Sequence, residues 1–144
     1  ELDWVENGIR RILEEVPNDK VLLGLPFYTR VWKEELVDGR IKVSSTAVSM
    51  GSVEKILSEK KPEIIWKEES GQHYVEYKEG RNTTYKIWIE DDKSINLKSS
   101  LVHKYDLAGA ASWRRGFESD SIWVVLQDNL KVKQNYAQWA GANS

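Results

Sequence analysis

The sequence contains no cysteine. That excludes disulfides, thiol nucleophiles and cysteine-bound zinc, and it leaves either side of a cell membrane open, since bacterial secreted proteins often manage without cysteine. No apolar run approaches the roughly 18 residues of a membrane span, and the first residues carry no secretory-signal pattern. An excess of positive charge is missing too. Lys and Arg number 21 against 23 Asp and Glu, a net charge of -2, so nothing favours a nucleic-acid binder. There is no glycine-rich phosphate loop, no Ser–His–Asp set and no basic amphipathic helix. His73 and His103 fall on different predicted elements with no third ligand in sight, so neither a metal nor a cofactor is expected. Phe is scarce, at two, whereas Trp (seven) and Tyr (six) are not. Flat rings with a polar edge suit sugar faces, and they are also ordinary core filling. What remains is one soluble globular unit of 144 residues, 40% hydrophobic and 31% charged. A chain of that length buries on the order of two-thirds of its unfolded surface.

The most informative stretch runs from Val21 to Arg30. It begins as an unbroken apolar run, the pattern of a strand covered on both faces in a parallel sheet. Pro26 cannot donate to a ladder, so the regular strand should end there. Tyr28 and Arg30 then sit just past the strand's C-terminal end, where α/β folds place ligand chemistry. A plain core strand ending in a surface arginine fits these residues equally well.

Around this stretch the chain changes character twice. Leu2, Val5, Ile9, Ile12, Leu13 and Val16 keep a helical period, Asp3 and Glu6 fit a capping box, and Pro17 stops the helix. Beyond Arg30, Asp38-Gly39 sits between two short alternating runs, a hairpin signal. Ser49 caps a helix reaching about Lys60, whose Lys60-Lys61 end is solvated. Ile64 to Lys67, His73 to Lys78 and Thr84 to Glu90 then read as strands of an antiparallel meander. In the last of these, Tyr85, Ile87 and Ile89 face one way and Thr84, Lys86 and Trp88 the other. Ser94 caps a further helix to about Tyr105. Ala108 to Trp113 is a strand of small residues ending in a large ring, and Ser121 to about Asn129 is a last helix. From Lys131 the chain is polar and weakly ordered, with Tyr136 and Trp139 as docking points. The order is helix, strand, inserted α+β unit, helix, strand, helix. Two parallel strands make one crossover and cannot close a sheet, and an eight-stranded barrel needs about 200 residues or more. The chain therefore reads as the end piece of something larger.

The segments Lys20 to Trp32 and Leu107 to Trp113, the latter followed by Asp120-Ser121-Ile122-Trp123, resemble the seventh strand, eighth strand and final helix of glycoside hydrolase family 18, the chitinase family. The meander between them, with Gly71 to Tyr77 and Asp91-Asp92-Lys93-Ser94, is similar to the chitinase insertion domain. The resemblance spans about residues 2 to 130 and is nearest to bacterial members acting on spore cortex and cell-wall glycans. It implies an α+β fold: a chitinase insertion domain between the last two β/α units of an incomplete TIM barrel. The implied divisions are a barrel segment at 1–31, the insertion domain at 32–93, a helix–strand–helix barrel segment at 94–130 and a tail at 131–144.

Trp113 matches the tryptophan that floors the cleft beneath the sugar, and Tyr28 and Arg30 match positions lining it. Trp66, Tyr74, Tyr77 and Trp88 are secondary candidates whose expected role is packing within the meander. The family's acid, a Glu at the end of a D-x-x-D-x-D-x-E motif, protonates the leaving oxygen while the substrate's N-acetyl group attacks. No such motif occurs here, so no catalytic residue is expected in this chain and the fragment alone should be inactive. Glu90-Asp91-Asp92 and the Glu118–Asp120 turn are expected to be solvated, and Arg114 and Arg115 to form salt bridges at the barrel rim. The implied partners are an N-acetylglucosamine polysaccharide (chitin or peptidoglycan) and the rest of the barrel, at a bacterial cell wall or spore surface. Self-association through the exposed barrel strands is expected in the isolated chain. A non-catalytic, lectin-like glycan binder and a purely structural α+β domain stand as alternatives.

Overall fold

The computed structural model describes residues 2–130, so Tyr136 and Trp139 lie outside the described residues. Helix α1 (Leu2–Ile12) turns Val5 and Ile9 inward, as the helical spacing requires. It stops at Ile12, and Leu13 and Val16 reach the same core from the turn beyond. The capping box expected of Asp3 and Glu6 does not form. Asp3 lies inside the first turn, the Leu2 N–H donates to the Ser70 carbonyl at 3.1 Å, and Glu6 reaches across to Tyr105 and Lys104.

After a short 3-10 turn (Asn18–Lys20), strand β1 (Leu22–Pro26) pairs in parallel with β7 (Gly109–Trp113), Leu22 opposite Gly109 and Pro26 opposite Trp113. Helices α3 (Asp92–Lys104) and α4 (Ser121–Leu130), with α1, cover one face of this pair. The core there comprises Leu23, Leu25, Phe27, Ile95, Leu107 and Ile122. The apolar run in β1 predicts two covered faces. Among the described residues only one is covered, since Leu25 is 2% exposed and Leu22 60%. Two strands supply no inner layer to meet Leu22 and Gly24.

Past Pro26 there is no loop. The chain runs directly into β2 (Tyr28–Val37), which turns at Asp38-Gly39 into β3 (Arg40–Ser49). Both turn residues have positive φ, 50° and 73°, the conformation of a tight type I′ hairpin. Tyr28 and Arg30, just past the end of β1, are thus among the opening residues of a second strand. Helix α2 (Met50–Lys60) follows, its Ser49 cap accepting from the Ser52 N–H at 3.1 Å. Strands β4 (Ile65–Lys67), β5 (Gln72–Glu79) and β6 (Thr83–Ile89) complete a five-stranded antiparallel sheet in the order β3-β2-β6-β5-β4. Only β4 to β6 form a meander. Because β2 continues the barrel strand, it enters the sheet between β3 and β6, a pairing of distant residues that leaves no local mark. α2 packs on one face, its Val53 clustering with Val75, Ile87 and Ile89 of the sheet.

Ser94 does not cap α3. Asp91 does, accepting from the Ser94 N–H at 3.0 Å while the Ser94 hydroxyl accepts from the Asp91 N–H at 2.9 Å, a reciprocal box. At the rim, the Arg114 guanidinium lies 5.0 Å from the centroid of the Phe117 ring, a cation–π contact in place of the expected salt bridge.

Glu6 ties α1 to the end of α3. It accepts from Lys104 Nζ at 2.5 Å and from the Tyr105 hydroxyl at 2.5 Å, and these bonds hold its carboxyl below the ordinary 4.5. A depressed carboxyl stabilises the fold above the unfolded value and loses that contribution as pH falls through the folded one. Urea unfolding followed from pH 6 down to pH 3 will show stability declining below about 4.5, and Glu6→Gln will flatten that decline.

Candidate functional site

Side chains alternate across a strand, so the register decides which residues share the sheet face away from α2. On that face Arg30 of β2 stands opposite Trp88 of β6, and Trp88 opposite Tyr74 of β5. Tyr28 and Trp32 flank Arg30 along β2, one step of two residues either way. The Arg30 Nη1 donates to the Ser45 hydroxyl at 2.7 Å, and the Tyr74 and Trp88 rings lie 4.8 Å apart. Burial, and then the Glu76 carboxylate that accepts from it at 2.7 Å, push the Tyr74 phenol upward, so it stays a donor. A recess of about 230 Å³ opens here between Arg30, Trp32 and Trp88.

A second recess, of about 410 Å³, lies over the ends of the parallel strands, with Trp4, Gly24, Lys98 and Trp113 in its lining. The two recesses share Pro26 and Tyr28. Trp113 is 68% exposed at the C-terminal end of β7, beside Pro26. Trp113, Tyr28 and Arg30 therefore line one pair of adjoining recesses, floored by β7 and walled by β2 and β6; Trp88 joins them, and Tyr74 packs on Trp88 outside the lining.

Trp66 and Tyr77 do not. Tyr77 stacks on Tyr85, centroids 5.0 Å apart, and packs against the α2 core. Trp66 stands edge-on to His73 at 4.9 Å, with Lys93 Nζ 3.5 Å from its centroid. Trp32 belongs to the groove without having been singled out from the sequence, although its two-residue step from Arg30 was a visible signal.

Below the junction of the recesses sits a group that the sequence reading put in solvent. Glu90 is 6% exposed. Its carboxylate pairs with Lys98 and accepts from Gln72 Nε2 at 2.9 Å and the Ser94 hydroxyl at 2.7 Å. Its backbone N–H donates to the Thr29 hydroxyl at 2.9 Å. Asp91 is only partly exposed and meets His73 Nδ1 at 2.6 Å. Only Asp92 is exposed, and it accepts from the Ser121 hydroxyl. Glu118 accepts from the Gly116 N–H in its turn at 2.7 Å. Among the described residues no group of three His, Cys, Asp or Glu could hold a metal.

Chemically, the groove offers ring faces for apolar C–H surfaces together with donors from Arg30 and Tyr28. Glu90, at its base, is neutralised by Lys98. Parallel strands with flanking helices, and an α+β insertion between them, define part of an α/β barrel interrupted by a second sheet. The chain belongs to Glycosyl hydrolases family 18, whose family profile matches residues 3–118. It is 23% identical to the uncharacterized glycosylase YvbX of Bacillus subtilis, over 90% of this chain and 36% of that protein. It is 25% identical to the cortical fragment-lytic enzyme of the same organism, over 89% and 29%. A chitinase from Chromobacterium violaceum superposes with a TM-score of 0.78 at 23% identity, over 89% of this chain and 38% of that one. The chain thus spans between 26% and 36% of the curated relatives it matches, and its five-stranded antiparallel sheet is the chitinase insertion domain.

The Glu90–Lys98 pair predicts an asymmetry. Lys98→Met leaves a buried, uncompensated carboxylate and will cost about 3–5 kcal/mol in chemical denaturation. Replacing both partners together will cost far less.

Proposed function

We propose that this chain forms the floor and one wall of the substrate cleft of a family 18 glycosidase acting on N-acetylglucosamine-containing polysaccharide, either chitin or the peptidoglycan of spore cortex. The observation that carries this reading is Trp113, exposed at the end of β7 in a recess it shares with Tyr28. An indole held this way can lie against the axial C–H face of a pyranose. Tyr28 and Arg30 hold sugar oxygens at the turn from floor to wall, and Trp88, Tyr74 and Trp32 extend the wall. The acid comes from elsewhere in the parent barrel, because the D-x-x-D-x-D-x-E motif does not occur in these 144 residues. The chain by itself binds glycan and hydrolyses none. Its setting is extracellular, at a bacterial cell wall or spore surface. The divisions at 31/32, 93/94 and 130/131 separate barrel, insertion and tail, with β2 the element that crosses the first of them.

Titration with chitin oligosaccharides will give a saturable change in tryptophan fluorescence. Trp113→Ala, at an exposed position, will leave the fold intact and weaken binding roughly tenfold. A response unchanged by that substitution would contradict the reading. The free edges of β1 and β7 are filled by neighbouring strands in the parent; in the isolated chain a second copy covers them. Light scattering will therefore report a species heavier than the monomer, and a monodisperse monomer would count against this.

A further inference from the structure

The buried ion pair has no place in sugar binding as described, and its location asks for an explanation. Glu90 lines the recess of the wall and Lys98 the recess of the floor. Both side chains are 7% exposed. Their bonds converge from elements that otherwise belong to different halves of the molecule. Thr29 is on β2 and Gln72 on β5, in the insertion sheet, while Ser94 and Lys98 are on α3, which packs on the barrel pair. A buried pair of this kind adds little to stability, because desolvating two charges offsets most of their attraction. What it supplies is geometry: a carboxylate with several fixed donors tolerates little displacement of any of them.

We propose that Glu90 and Lys98 are a positioning pair for glycan binding. Neither needs to touch the sugar. They fix the insertion-domain wall, with Arg30 and Trp88, against the barrel floor, with Trp113, so that one oligosaccharide engages both recesses at once. This rests on the glycan-cleft reading above, but its central measurement needs no glycan.

The test uses the paired replacement Glu90→Gln with Lys98→Met, which leaves no charge unpaired. Because the chain has no cysteine, Lys42→Cys on β3 and Asp128→Cys on α4 give two unique spin-label sites, one on each half. We expect the paired replacement to melt within a few degrees of the parent chain, far above Lys98→Met alone, while its inter-label distance distribution broadens. With chitin oligosaccharides, the parent chain gains about tenfold in affinity from dimer to pentamer by bridging the two recesses. In the paired replacement that gain falls below about threefold, with dimer affinity retained. An unchanged distance distribution overturns the proposal, as does a length gain that survives intact. If the distribution broadens while the parent chain binds no oligosaccharide, the pair still fixes the two halves against each other, but its role in glycan binding falls together with the cleft reading.

Discussion

Everything in this molecule depends on how the chain changes sheets at Phe27. β1 ends at Pro26, whose missing N–H closes the parallel ladder, and β2 begins at Tyr28 with one residue between them. Phe27 is fully buried, its ring edge-on to Trp123 at 5.8 Å and its N–H donating to the Trp113 carbonyl at 2.6 Å. A strand committed to the barrel on one side of Phe27 becomes the second strand of the insertion sheet on the other. This is why Tyr28 lies beside Trp113, and why the wall has no flexible loop at its base. A longer connection would leave floor and wall to find each other.

Burial reinforces that junction from behind. The barrel core and the α2 core are separate clusters, although Met50 at the start of α2 is buried in the barrel cluster. They are joined by the strand change, by the Leu2–Ser70 backbone bond, by the Met50 N–H donating to the Phe117 carbonyl at 2.8 Å, and by the Glu90 network. Polar contacts at a seam between two small cores are more exacting in direction than apolar ones. They suit a place where two surfaces must keep one spacing.

Most of the elements are readable from local pattern. The Asp38-Gly39 hairpin, the Ser49 cap and the alternation in β6 all depend on neighbours a few residues away, and all are present as read. What the pattern does not carry is pairing over distance. The two-residue step along β2 from Tyr28 to Trp32 is visible, but its partners are not until β6 lies beside it, and the insertion sheet looks like a plain meander for the same reason. Glu90-Asp91-Asp92 looks solvated because three acids in a row usually are. Asp91 instead caps α3, and Glu90 is buried by Ser94 and Lys98 of that helix together with Gln72, which only the pairing of β5 with β6 brings there. Trp113, Tyr28 and Arg30 stand out in the sequence because they resemble a family motif, and the fold brings them to adjoining recesses. That Trp32 and Trp88 stand on the same sheet face as Arg30 depends on register.

The central claim is that Trp113, Trp88 and Trp32 line one glycan groove while Trp66 and Trp123 lie outside it. The direct measurement is an amide–indole correlation spectrum of the nitrogen-labelled chain, titrated with an N-acetylglucosamine oligosaccharide. The account predicts saturable shifts of the indole N–H signals of Trp113, Trp88 and Trp32, with those of Trp66 and Trp123 unmoved. Shifts centred on Trp66, or an unchanged spectrum, would contradict it.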